Sequence, residues 1–123
     1  MSSDADNLKG QRVLLVEDSW HAAQATLDLL EAWGMVVLGP VATAEEASHL
    51  IVPTPPPVAI VDIRLKDGLA YDLIDLLNAN GVSVIIASAY TDGPELESKV
   101  AAILRKPFPA GELLATLKTV MSR

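Results

Sequence analysis

The sequence predicts an open α/β sheet of five parallel strands with helices on both faces. Three observations predict it. Five short runs rich in Val, Ile and Leu occur at residues 12–16, 35–38, 58–61, 82–87 and 101–104. Helical patterns separate them, with short connections. Most of the runs lack strict polar alternation, as strands covered on both faces do. Alternating strand and helix implies parallel pairing through right-handed crossovers.

The elements follow in chain order. After the first run, Ala22, Ala25, Thr26, Leu29 and Trp33 share one helical face, and Gly34 stands where a helix commonly stops. The second run precedes Thr43-Ala-Glu-Glu46, which has the form of a capping box: the Thr43 hydroxyl and the Glu46 carboxylate can each satisfy a free amide. The helix it opens is closed by Pro53-Thr-Pro-Pro-Pro57, a stiff surface loop. Behind the third run, Asp67-Gly68 leads into a helix from about Leu69 to Ala79, stopped near Asn80-Gly81. Between the fourth and fifth runs, residues 91–100 must supply both a loop and a helix, and Gly93-Pro94 shortens the space further. A fourth helix of a turn or two, or an irregular segment, is expected there. Leu113, Leu117, Val120 and Met121 mark the inner face of the last helix.

With 123 residues, half of them hydrophobic, the chain suits one domain, expected over residues 11–123 behind a flexible extension at 1–10. No apolar run approaches the roughly 20 residues that span a bilayer, and Met1-Ser-Ser-Asp-Ala-Asp6 lacks the basic start and apolar middle of a secretion signal. A cytoplasmic location without membrane attachment is expected. The absence of cysteine excludes disulfides, thiol catalysis and thiolate metal sites. A net charge of −7 without any Lys/Arg cluster argues against nucleic acid as a partner.

In open α/β sheets, ligands bind beyond the carboxyl ends of the strands. The first run delivers Glu17 and Asp18 to that edge, the third delivers Asp62, and the others end there on Ser88 and Lys106. Carboxylates sharing one cleft repel each other unless a cation joins them, and oxygen-only ligands suit Mg²⁺. A phosphoryl group against Asp62 would then meet metal, ammonium and hydroxyl on its three oxygens. Singly, each of these residues reads as a solvated loop cap. An acid pair, an Asp, a hydroxyl and a Lys-Pro at the ends of strand runs are hard to explain by solvation.

These residues resemble the signature of response-regulator receiver domains of two-component signalling. The resemblance runs from Gln11 to the C-terminus, through Val16-Glu17-Asp18, Val61-Asp62, Leu65-Lys-Asp-Gly68, Ala87-Ser88-Ala89 and Lys106-Pro107-Phe108. It implies a doubly wound, flavodoxin-like sheet of strand order 2-1-3-4-5. It also implies that Asp62 accepts a phosphoryl group from phosphohistidine on a histidine kinase or a histidine phosphotransfer protein. Asp18, Asp62 and the backbone carbonyl of Arg64 would bind Mg²⁺, with Glu17 acting through water. Lys106 would hold a phosphoryl oxygen, and Ser88 would be the switch hydroxyl, helped by the amide of Ala89. No output domain is legible in this chain, which fits either a stand-alone receiver or a part of a longer protein.

Two departures bear on output. Receivers usually carry an aromatic switch residue three positions before the lysine, where this chain has Ile103. Ile86-Ala-Ser-Ala-Tyr90 resembles the Phe-Ala-Thr-Gly-Tyr signature of a subgroup of stand-alone receivers, which makes Tyr90 a candidate for the switch role. Arg64 could overhang the phosphoryl group and, with Tyr90, set its lifetime, or be a plain surface cation. The short fourth helix leaves the oligomeric state open. Two other readings stand beside this one: a pseudo-receiver that binds partners without phosphorylation, and an Asp-nucleophile phosphatase, which normally wants an acid where Arg64 stands. His21 and His49 offer no paired metal site, and Trp20 is expected to be packed or to line the cleft rim.

Overall fold

The computed structural model describes residues 8–89 and 94–122. Its central sheet comprises β1 (Arg12–Val16), β2 (Val36–Val41), β3 (Val58–Val61), β6 (Ser83–Ser88) and β7 (Ala102–Arg105), all parallel, in the order β2-β1-β3-β6-β7. Counted along the main sheet alone, that is 2-1-3-4-5, the doubly wound arrangement expected. The helices are α1 (Trp20–Ala32), α2 (Ala44–Leu50), α3 (Tyr71–Ala79), α4 (Pro94–Lys99) and α5 (Ala110–Met121). The fourth has six residues, as the crowded sequence requires.

Strand alternation divides the core into two layers. Val13 and Leu15 of β1, Val58 and Ile60 of β3, and Ile85 and Ala87 of β6 pack with Leu30 of α1 and Leu113 and Leu117 of α5. Leu14, Val16, Ala59, Val61, Val84 and Ile86 face the other way, toward Ala47, Leu73, Ile74, Leu77 and Leu96 of α2, α3 and α4. The first layer reaches back to Leu8, which is fully buried, and Gly10 N–H donates to Gly34 O at 2.8 Å. Leu8 is therefore part of the packed core.

Several local expectations are corrected. The third helix begins at Tyr71 rather than Leu69, because Arg64–Leu65 (β4) and Gly68–Leu69 (β5) pair as a small antiparallel hairpin. In α1 the residues turned into the core are Ala23, Leu30 and, partly, Leu27. Leu29 and Trp33 pack only partly, and Ala22, Ala25, Thr26 and Leu29 line an open apolar recess. The helix carries two adjacent apolar stripes, and both contribute residues to the core. The C-terminal expectation holds: Gly34, at φ 81°, lets Met35 N–H reach Leu30 O at 3.0 Å and its own N–H reach Glu31 O at 3.0 Å, which satisfies the last carbonyls.

At the start of α2, Glu46 N–H donates to Thr43 Oγ1 at 3.1 Å, but the Glu46 carboxylate accepts the Thr43 hydroxyl at 2.9 Å instead of an amide. The free amides of Ala44 and Glu45 are taken by the carboxylate of Asp67, at 2.9 and 3.2 Å, from the turn of the β4–β5 hairpin. These amide bonds hold the Asp67 carboxyl below its ordinary pKa. A depressed carboxylate contributes stability above its unfolded value and loses it as pH falls through the folded one. Asp67→Ala is therefore expected to speed amide hydrogen exchange at Ala44 and Glu45 at neutral pH, with the difference from wild type vanishing in acid. Equal exchange at neutral pH would show that the contact carries no weight.

Candidate functional site

The site forms where the carboxyl ends of β1, β3, β6 and β7 meet. Glu17, Asp62 and Lys106 are each placed by a backbone bond that continues the sheet one residue beyond its strand, and Ser88 ends β6. Glu17 N–H donates to Val41 O and Asp62 N–H to Val16 O, both at 2.9 Å, and Lys106 N–H donates to Ser88 O at 3.0 Å. The chain then leaves the sheet. Ser19 caps α1 by accepting from Ala22 N–H at 3.4 Å, and its own N–H donates to Glu17 Oε2 at 3.1 Å.

Asp62 is the meeting point. The Ser88 hydroxyl donates to its Oδ1 at 2.7 Å, and the Lys106 ammonium donates to its Oδ2 at 3.1 Å. The Arg64 N–H approaches Oδ1 at 3.4 Å. Lys106 also donates to Glu17 Oε1, so one ammonium holds two carboxylates. Ser88 and Glu17 are buried, whereas Asp18 is exposed beside them.

The electrostatics follow from that geometry. Burial, together with a hydrogen bond with Asp62, pushes the Glu17 carboxyl up against the pull of the Lys106 ammonium and the Ser19 amide. Burial also works against ionised Asp62, but the Ser88 hydroxyl, a hydrogen bond with Glu17 and Lys106 together outweigh it and hold the Asp62 carboxyl below its ordinary range. For Lys106, burial disfavours the charge and Glu17 and Asp62 more than restore it, so its pKa is raised. Asp62 is consequently an ionised carboxylate at neutral pH, with its ammonium neighbour charged.

One carboxylate oxygen each from Glu17, Asp18 and Asp62 lies within 4.8 Å of the others. An all-oxygen set with one member open to solvent fits a hard, partly hydrated divalent cation such as Mg²⁺. The five residues the sequence singled out at strand ends, Glu17, Asp18, Asp62, Ser88 and Lys106, are thus brought together.

Arg64 lies in β4 with its side chain exposed, and Ala89 directly follows β6, also exposed. Ile103, where an aromatic was expected by resemblance, is half-buried against the α2–α3–α4 layer. Tyr90 lies outside the described residues. Trp20 is 71 % exposed and meets His21 edge to face, with ring centroids 5.5 Å apart, so the packed alternative is wrong. His49 is exposed on α2, away from the acids. Beside Lys106, between α1 and the segment Ala89 and Lys106-Pro107-Phe108, opens an apolar recess of about 530 Å³.

No protein-family model matches the chain, and no curated protein matches it in sequence. Solved structures do. The signal receiver domain of a LuxO repressor protein from Vibrio parahaemolyticus superposes with a TM-score of 0.84 at 29 % identity, covering 93 % of this chain and 92 % of that one. The non-phosphorylated HemR receiver domain from Leptospira biflexa gives 0.82 at 28 % identity, covering 92 and 95 %. A CheY-like receiver domain from Methanospirillum hungatei gives 0.83 at 25 % identity, covering 93 and 95 %. The chain shares the fold of response-regulator receiver domains and is similar to them in sequence.

The chain carries at its sheet edge the acids, hydroxyl and lysine by which its sequence resembles that family. Sequence reading missed two supporting contacts. Asp67 was placed in a turn, and its reach to the start of α2 was not foreseen. Val41 was missed because it acts through its carbonyl, which no side-chain motif reports. Among the described residues, no helix is long and apolar enough to cross a membrane.

Proposed function

We propose that this receiver accepts a phosphoryl group on Asp62 from a phosphohistidine of a histidine kinase or histidine phosphotransfer protein, and that the modified form changes its partner contacts. One observation carries the reading: Ser88 and Lys106 each donate to a different oxygen of the same ionised carboxylate, with Glu17 and Asp18 beside it. In the transfer, an Asp62 oxygen forms a bond to phosphorus as the bond to the imidazole nitrogen breaks, and the electron pair of that bond stays on the imidazole. Asp18, Asp62 and the Arg64 carbonyl would hold Mg²⁺, with Glu17 acting through water. The ion would supply positive charge for phosphoryl oxygens.

The protein's own groups do the remaining work. Lys106 is tethered to Asp62 and can follow the charge onto the phosphoryl oxygens, where a fixed cation stabilises the transition state. The Ser88 hydroxyl would leave Oδ1 to donate to a phosphoryl oxygen, with the Ala89 amide beside it. Arg64 and Tyr90 would limit the attacking water and set the lifetime of the product. The apolar recess beside Lys106 supports a helical partner that brings its phosphohistidine to the acids.

Incubation with a small phosphodonor and Mg²⁺, followed by intact-mass measurement, is expected to add one phosphoryl group per chain. Neither Asp62→Asn nor wild type with excess chelator should gain it. Full modification without divalent ions, or a labelled Asp62→Asn, would refute the proposal. Repeated turnover of a phosphate ester would favour the phosphatase instead.

A further inference from the structure

The edge strand β2 holds one residue more than the stretch of β1 it pairs with. Leu14 stands opposite Leu38 and Val16 opposite Val41, so two steps along β1 meet three along β2. The extra residue falls at Gly39-Pro40 and forms a bulge. Two features keep it there. Gly39 has φ 101°, which L side chains rarely adopt, and a Cβ on it would stand 2.7 Å from Leu15 O and 2.9 Å from Val41 N. Pro40 has no N–H to give a regular ladder.

Directly behind the bulge, two consecutive carbonyls hold the two loops of the site. Val41 O accepts Glu17 N–H at 2.9 Å, and Ala42 O accepts Lys66 N–H at 3.1 Å. Glu17 opens the acid pair, and Lys66 lies in the hairpin that follows Asp62. A regular register would set Pro40 opposite Val16 and carry Val41 and Ala42 outward by one residue, about 3.3 Å. Ala42 O would then be drawn away from Lys66. Gly39 and Pro40 make the bulge possible, and the backbone bonds beyond it depend on the register it sets.

We propose that Gly39 is a positioning residue for the cation site: by fixing the bulge it sets the backbone of Glu17, and of the loop bearing Arg64, relative to Asp62. The inference rests on the reading of the site given under Proposed function. It assigns to a small residue on the outer strand a control over metal affinity that acts only through main-chain bonds.

The test is calorimetric Mg²⁺ titration of the full chain, together with amide hydrogen exchange. Gly39→Ala is expected to weaken Mg²⁺ binding about tenfold or more, the loss usual when support behind a metal ligand is removed. Glu17 and Lys66 amides should lose protection. Leu38→Ala, on the same strand before the bulge, should lower the melting temperature yet keep wild-type Mg²⁺ affinity, which separates positioning from general weakening of β2. If Gly39→Ala does not fold, Pro40→Gly decides on the same readouts, since it frees the bulge without adding a Cβ; a smaller loss is expected. Unchanged affinity in the deciding variant, or an equal loss in Leu38→Ala, would overturn the proposal alone, provided that wild type binds and Asp18→Asn does not. A wild type that takes up no Mg²⁺ would overturn this inference and the site reading together.

Discussion

Lys106→Met is expected to slow phosphoryl labelling of Asp62 by about 100-fold or more, measured as the rate of mass gain from a small phosphodonor at saturating Mg²⁺. Removing one preorganised donor from developing phosphoryl charge typically costs two to three orders of magnitude. The effect should fall on rate rather than on folding at saturating cation. Lys106 is the ammonium that holds Glu17 and Asp62 together. Without it, buried Glu17 loses its charged partner and is driven further toward its protonated form, and the two acids repel whenever both ionise. A divalent cation between the acids relieves that repulsion, so Mg²⁺ should raise the melting temperature of Lys106→Met more than that of wild type. A variant that labels at the wild-type rate would show that Lys106 is only a structural tether.

Leu14→Ala is expected to lose about 2–5 kcal/mol of stability by urea denaturation, because the truncated side chain leaves a cavity that its neighbours fill only in part. Leu14 is fully buried on β1, between β2 and β3, three residues before Glu17. Against a total stability of about 5–15 kcal/mol for a domain, that loss threatens folding at physiological temperature. Leu76→Ala, at a leucine of α3 that is 39 % exposed, should change stability by only about 0.5 kcal/mol. Equal costs at the two leucines would contradict the two-layer core.

Much of the fold was legible because its signals are local. Short β-branched runs, Gly34 behind α1 and the Pro-rich stop after α2 each report on a few neighbouring residues. The small hairpin at Arg64–Leu65 and Gly68–Leu69 was not legible, since two-residue strands carry no periodic signal. Which residues of α1 are fully buried was not legible either, because Ala22, Ala25 and Leu29 are as apolar as Ala23, Leu27 and Leu30. Helical spacing finds stripes and does not say which residues are buried most deeply.

The sequence by itself determined the parallel α/β class and which side chains meet at one edge, because the carboxyl ends of the strands in such a sheet lie side by side. Only the tertiary structure decided how those residues are joined. Lys106 links Glu17 to Asp62, Ser88 takes Oδ1 while the ammonium takes Oδ2, and Asp67 reaches α2 across 23 residues of chain. The reason is physical: such contacts depend on register and on main-chain carbonyls such as that of Val41. Neither the identity nor the spacing of side chains encodes them.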